Sequence, residues 1–170
     1  DFNEKKLILD SIKNNEISTF GRNVAVFEKK ISRLTGGKFN LALNSGSSAL
    51  LIAFKSLGLK KDDLVITQSY TFTATTNSII HSGGIPWLFD IDEENLSIDI
   101  NKVRESLSIP RIDKLKSLKK KFNLKLVFDA ACAINSKFLR KSIVDYSDIS
   151  TFSFNGNKSF TTGSGGLIST

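Results

Sequence analysis

The sequence predicts an α/β domain built on a mostly parallel sheet with helices on both faces. Three observations carry that expectation. Short apolar runs at 39–43, 64–67, 85–91, 124–128, 149–154 and 166–170 alternate with stretches of helical spacing, the pattern of βαβ construction. The first run passes almost directly into a helix through Asn44-Ser45-Gly46-Ser47-Ser48. Two later runs lead into polar residues followed by small ones: Asp129 before Ala130-Ala131, and Lys158 before the turn Gly163-Ser164-Gly165-Gly166. In open α/β sheets ligands bind beyond the carboxyl ends of strands, so these ends are where chemistry is expected.

Taken in order, residues 4–14 and 22–35 read as helices separated by Asn15-Glu16-Ile17-Ser18-Thr19-Phe20-Gly21. The strand at 39–43 is followed by a helix at 49–57, which Gly58 ends, since glycine accepts the left-handed conformation common there. A Thr-rich helix at 71–82 follows the second strand and stops at Gly83-Gly84. The third strand leads to a helix at 101–106. Residues 107–110 (Leu-Ser-Ile-Pro) then pass straight into another helix beginning near Arg111. No internal repeat and no Pro- or Ser-rich linker marks a domain boundary, so residues 1–170 read as one unit.

Composition narrows the function classes. A chain of 170 residues, 40% hydrophobic and 24% charged, has the balance of a water-soluble domain with its own core. No apolar run is long enough to span a bilayer, and Asp1-Phe2-Asn3-Glu4-Lys5-Lys6 lacks a signal-peptide pattern. Cys132 is the only cysteine; it excludes an internal disulfide framework and fits a reducing compartment, hence the cytoplasm. Methionine is absent even at position 1, so the chain reads as a piece of a longer frame.

The net charge of +7 owes much to Lys114, Lys116, Lys119, Lys120 and Lys121. Among them Ile112, Leu115, Leu118 and Phe122 recur at helical spacing, which describes an amphipathic helix with its lysines in water. No recognition motif or interleaved aromatic accompanies the charge, so no nucleic-acid partner is expected. His81, near the end of the helix at 71–82, reads as a surface residue, and no metal site can be built from it and Cys132.

Three stretches carry candidate chemistry. The turn at 44–48 offers free amides, a helix dipole and serine hydroxyls to an anion, although a plain serine cap explains it as well. Asp129 either caps the next helix or aims a carboxylate at a cationic ring nitrogen. Lys158, between a strand end and a flexible turn, suits a Schiff base, although taken alone an ordinary lysine after a strand explains it better. A phosphate cradle, a strand-end Asp and a strand-end Lys are together the parts that hold pyridoxal phosphate. Phe72, following the second strand, could supply an aromatic face for its ring.

Five motifs in one order give these parts a family context. They are Asn44-Ser45-Gly46-Ser47-Ser48-Ala49-Leu50, Gln68-Ser69-Tyr70-Thr71-Phe72-Thr73-Ala74-Thr75, Pro86-Trp87-Leu88-Phe89-Asp90-Ile91-Asp92, Phe128-Asp129-Ala130-Ala131 and the stretch from Ser153 to Gly166. From about Glu16 onward the chain resembles the sugar-nucleotide aminotransferases of the DegT/DnrJ/StrS type. Ser153-Phe154-Asn155-Gly156-Asn157-Lys158 is most similar to the branch that aminates 4-keto-6-deoxy sugar nucleotides toward legionaminic-acid-like sugars.

The resemblance implies the aspartate-aminotransferase fold (fold type I), a homodimer with sites at the subunit interface, and glutamate as amino donor. It implies that Ser47 and Ser48 bind the cofactor phosphate through their amides, with Ser153 adding its hydroxyl. It also implies that Phe72 stacks on the ring, that Asp129 pairs with the ring nitrogen, and that Lys158 bonds the cofactor and shuttles the proton. Cys132 stands where many relatives have Gln, and Ser164 where Glu is common.

Two departures are expected to matter. The chain covers the N-terminal portion of the cofactor-binding large domain, without the small domain. Between Asn101 and Phe122 there is also no room for an interior strand that relatives place there. The competing reading is therefore a truncated, internally deleted fragment of such an enzyme, without catalysis.

Overall fold

The computed structural model describes residues 2–18, 21–106 and 122–170. Helices α1 (Phe2–Lys13) and α2 (Arg22–Thr35) precede β1 (Asn40–Leu43), α3 (Gly46–Ser56), β2 (Leu64–Gln68), α4 (Thr73–His81), β3 (Ile85–Phe89) and α5 (Ile100–Ser106). After the second interval come β4 (Val127–Asp129), β5 (Lys137–Phe138), β6 (Lys141–Ser142), a 3-10 turn at Ile143–Tyr146, β7 (Ile149–Ser153) and β8 (Gly166–Ser169). The expected helix near Arg111, with its lysine-rich face, lies outside the described residues. So does the segment in which an interior strand was expected to be missing.

The main sheet has four strands in the order β1-β8-β7-β4. β8 runs antiparallel to both β1 and β7, and β4 runs parallel to β7. Three of the four strands therefore point one way and β8 alone is reversed. Because β8 lies between β1 and β7, two of the three pairings are antiparallel, and the sheet is mixed where a mostly parallel one was expected. β2 and β3 pair with each other in parallel as a separate two-stranded sheet. The six expected strands are all present, but in two sheets instead of one. Among the described residues, no strand pairs with the second edge of β4 or of β2.

Alternation along the strands fixes the layers, because successive side chains of a strand face opposite ways. Phe152 and Leu167 lie on one face with Ile31 of α2, Val144 and Ala130. Ile149 and Ile168 lie on the other with Ala49 and Ala53 of α3. A third cluster of Leu50, Phe54 and Ile79, flanked by Val65 and Val127, joins α3, α4 and both sheets. Helices thus cover both faces, with α3 and α4 on the same side as Asp129.

Local chemistry accounts for the element ends. α2 stops at Gly36, whose N–H still bonds the Ser32 carbonyl and whose φ of 77° then turns the chain out of the helix. α3 begins three residues earlier than its apolar periodicity suggests. The Ser45 hydroxyl accepts a hydrogen bond from Ser48 N–H at 3.1 Å and caps the helix. β4 is shorter than the apolar run 124–128 because its one partner, β7, begins only at Ile149. Upstream of it, Leu126 N–H donates instead to the Asp148 carboxylate at 2.7 Å.

The centre of this packing is a clear target. Phe152 is 1% exposed, whereas Ile80 is 56% exposed. Replacing a buried Phe by Ala typically costs about 3–5 kcal/mol, against about 0.5 kcal/mol or less at an exposed position. Urea unfolding should therefore show Phe152→Ala strongly destabilised and Ile80→Ala close to the parent chain. Equal midpoints would place the core elsewhere.

Candidate active site

Strand register brings the site together. Leu43 at the end of β1 lies opposite Gly166, and Gly166 lies opposite Ser153 at the end of β7. Asp129 at the end of β4 lies opposite Thr151. The carboxyl ends of β1, β7 and β4 consequently open on one edge of the sheet. Ser153 and Asp129 also share the face covered by α3 and α4, because they alternate in step with Ile149 and Val127.

The turn after β1 lies directly on that edge. A Cβ on Gly166 would collide with the Ser45 carbonyl, and one on Gly46 would sit 2.8 Å from Ser153 Cβ. Both glycines are needed for this approach. It sets the first turn of α3 beside Ser153. The Gly46 and Ser47 N–H groups are the first two of α3 and have no carbonyl of their own helix to bond. Ser48 N–H is held by Ser45 Oγ, and the two hydroxyls lie 3.0 Å apart.

The loop after β7 returns to the same place. Phe154 N–H donates to the Gly165 carbonyl and Thr162 N–H to the Phe154 carbonyl, which closes the loop on itself. Ser164 Oγ then donates to the Asn44 carbonyl at 2.9 Å, tying the glycine turn to the start of the α3 turn. Within this loop Lys158 is half-buried, and its Nζ lies 3.2 Å from Cys132 Sγ. Cys132 follows Asp129 by three residues, so this contact ties the loop to the turn that follows β4.

Asp129 is oriented from two sides. Its Oδ2 accepts a 2.6 Å hydrogen bond from Thr75 of α4, and its Oδ1 accepts one from Ala131 N–H at 3.3 Å. Thr71 Oγ1 donates in turn to Thr75 Oγ1 at 3.0 Å. Phe72 lies one turn before Thr75, at the start of α4, and is 77% exposed.

The structure thus gathers Ser47, Ser48, Ser153, Asp129, Cys132 and Lys158 at one edge. Phe72 is exposed at the start of α4, the helix that carries Thr75. Sequence reading gave no role to Thr75 and Thr71, and noted Ser164 only as standing where Glu is common; the first two were open to it. Two threonines four residues apart on the helix after a strand were the available signal for the first two. His81 is exposed, as expected. Among the described residues no cluster of His, Cys, Asp and Glu could hold a metal ion, and no helix is long and apolar enough to cross a membrane.

The sequence matches that of the DegT/DnrJ/EryC1/StrS aminotransferase family over residues 1–170. It is 34% identical to a GDP-perosamine synthase of Caulobacter vibrioides, over 100% of this chain and 50% of that protein. It is 33% identical to a UDP-4-amino-4,6-dideoxy-N-acetyl-beta-L-altrosamine transaminase of Campylobacter jejuni, over 91% and 45%. The chain spans about half the length of the curated relatives it matches.

Among solved structures, NtdA of Bacillus subtilis with bound cofactor PMP superposes with a TM-score of 0.85 at 30% identity, covering 99% of this chain and 42% of that one. A 3-amino-5-hydroxybenzoic acid synthase superposes with a TM-score of 0.90 at 22% identity, covering 99% and 48%. The likeness establishes the fold type I architecture expected from the motifs. Solved neighbours include a PLP form and one with bound PMP. The residues here fit that cofactor: one edge presents an amine, a carboxylate and a turn with free amides beside a serine hydroxyl.

The Thr75 contact can be tested without any ligand. Thr75 is 7% exposed, and a hydrogen bond to a charged group is worth about 1.5–3 kcal/mol. Thr75→Val should lower unfolding stability by about that amount, and Thr75→Ser should recover most of it. A Ser variant no better than Val would show that the methyl group matters and the hydroxyl does not.

Proposed function

The chain belongs to the DegT/DnrJ/EryC1/StrS aminotransferase family, and from that premise we propose that it is the cofactor-binding part of a sugar-nucleotide aminotransferase. The reaction proposed is transfer of an amino group to a keto-sugar nucleotide, a 4-keto-6-deoxy sugar, with glutamate as donor. It serves the making of cell-surface polysaccharide. The whole enzyme would work as a homodimer in the cytoplasm, where a lone thiol stays reduced. The names of relatives that act on GDP- and UDP-linked sugars support the substrate class.

One observation carries the reading: Lys158, Asp129, Ser153 and the α3 turn meet on a single sheet edge. Pyridoxal phosphate, when bound, supplies an electron sink for bond breaking at the amino carbon. The protein's part is to hold and to move protons. The Lys158 amine would bond the cofactor and, once released by the substrate, would carry a proton between the substrate's amino carbon and the cofactor.

Asp129, fixed by Thr75 and the Ala131 N–H, would accept a hydrogen bond from a protonated ring nitrogen and keep it charged. The Ser47 amide and the Ser153 hydroxyl would bind the phosphate, with the Ser48 amide joining once Ser45 releases it. Phe72 would cover one ring face and keep water from it. Cys132 stands beside the amine in the position where relatives place Gln.

The experiment is direct. Pyridoxal phosphate is added to the purified chain, the adduct is reduced with borohydride, and the labelled peptide is mapped. Label on Lys158, lost in Lys158→Ala, is the expected result; label spread over surface lysines would overturn the reading. In the full-length enzyme Asp129→Asn should slow turnover by about 10³-fold or more, equivalent to roughly 4 kcal/mol of transition-state stabilisation. Ser47→Ala should weaken cofactor binding by only about 0.5–1.5 kcal/mol, whereas Ser47→Pro removes the amide itself and should weaken it far more.

A second reading, a non-catalytic fragment of such an enzyme, is favoured by the division of the sheet. β4 and β2 each have one strand partner among the described residues. Buried backbone groups without partners cost about 1–3 kcal/mol each, and a domain has only about 5–15 kcal/mol in total. On this reading the chain alone would be poorly soluble and inactive. A cooperative urea transition together with a glutamate half-reaction would dismiss it.

A further inference from the structure

The contact between Lys158 Nζ and Cys132 Sγ, at 3.2 Å, sets two nucleophiles of different kinds against each other. The Cys132 side is exposed, so small oxidants reach the sulfur. A thiolate that attacks peroxide becomes a sulfenic acid, whose sulfur is electrophilic and is captured by the nearest nucleophile. In most proteins that nucleophile is a second thiol. This chain has no other cysteine, and the atom in contact is an amine.

We propose that Cys132 and Lys158 form a peroxide-driven covalent switch, closing an Sγ–Nζ bond across the site. In the first step the Cys132 sulfur attacks one peroxide oxygen and the O–O bond breaks. The thiol proton leaves with the departing oxygen as water. Sulfur is oxidised by two electrons and peroxide is reduced by two. In the second step the unprotonated Lys158 amine attacks the sulfenic sulfur and the S–O bond breaks, with hydroxide and one amine proton leaving as a second water. The chain ends two hydrogens lighter. Two equivalents of an added thiol reverse the change, returning the thiol and amine and forming the added thiol's own disulfide.

Geometry favours the second step. The lysine stem has four rotatable methylenes, so the amine can close from hydrogen-bond distance without moving the strands. The consequence for cofactor loading rests on the reading of Lys158 given above. An amine tied to sulfur cannot bond the cofactor, and an amine bonded to the cofactor cannot capture the sulfur. The switch would therefore act on chain that has lost, or not yet gained, its cofactor.

The test treats the purified full chain with hydrogen peroxide and reads intact mass and a peptide map. The expected product is lighter by two hydrogens and joins the peptides containing Cys132 and Lys158. It returns to the starting mass with dithiothreitol. With a single cysteine such a loss cannot be an internal disulfide. It should be absent from Cys132→Ser. In Lys158→Arg, dimedone should trap the uncaptured sulfenic acid instead. Dimedone trapping at equal yield in the parent chain and in Lys158→Arg, or a covalent dimer through Cys132 in place of the joined peptides, would overturn the proposal. Prior loading with pyridoxal phosphate should suppress the cross-link in proportion to the fraction loaded. A cross-link indifferent to loading would leave the switch standing and remove the functional reading of Lys158.

Discussion

The site depends on a close approach of backbone to backbone, that of the Ser45-Gly46 turn over Gly166 at the start of β8. Any side chain at 166 would occupy the space of the Ser45 carbonyl. Were the turn forced away, the first turn of α3 would leave Ser153, and the free amides would no longer face the edge shared by β7 and β4. The β1–β8–β7 ladder holds the pieces in register, because each end residue is fixed opposite the next. Ser164 adds a side-chain tether to the same spot through the Asn44 carbonyl. Glycine here serves contact more than flexibility.

The division into two sheets shifts weight onto the helix layer. What joins β2 and β3 to the main sheet is α3 and α4, packed through Leu50, Phe54 and Ile79. Val127 touches two of the apolar clusters, so β4 lies at the boundary. Asp129, the last residue of β4, is then held by a hydroxyl from α4 at 2.6 Å. A carboxylate with one strand neighbour acquires a fixed direction from a helix. Thr75 therefore couples the placement of α4, and of Phe72 at its start, to that of Asp129.

Much of this was legible because it is local. The strand-to-helix turn, the strand ends at Asp129 and Ser153, and the apolar alternation all announce themselves within a few residues. The family motifs are short and their order is preserved, so membership could be read from residues 44–50, 68–75 and 153–166. What was not legible is what pairing at a distance decides. Nothing in 166–170 says that this strand inserts between β1 and β7 and runs against both. The hairpin of β5 and β6 escaped because its turn residues, Leu139 and Arg140, adopt φ of 48° and 66°, a geometry usually signalled by Asn-Gly or Asp-Gly. The Lys158–Cys132 contact spans 26 residues and left no trace in either local pattern.

The capped turn raises a question of competition that magnitudes can answer. Ser45 Oγ already holds the Ser48 amide, so an anion arriving at α3 meets one bound donor along with the free ones. A neutral hydroxyl-to-amide hydrogen bond is worth about 0.5–1.5 kcal/mol net, and one to a charged acceptor about 1.5–3 kcal/mol. An anion that takes the Ser48 amide from Ser45 therefore gains more than the cap loses. The freed hydroxyl can rotate to donate to the same anion, which the helix dipole also favours. The cap keeps the turn ordered when no anion is present and yields when one comes. Its hydrogen-bond partners are thus satisfied in both states, as a preformed anion site at a helix start requires.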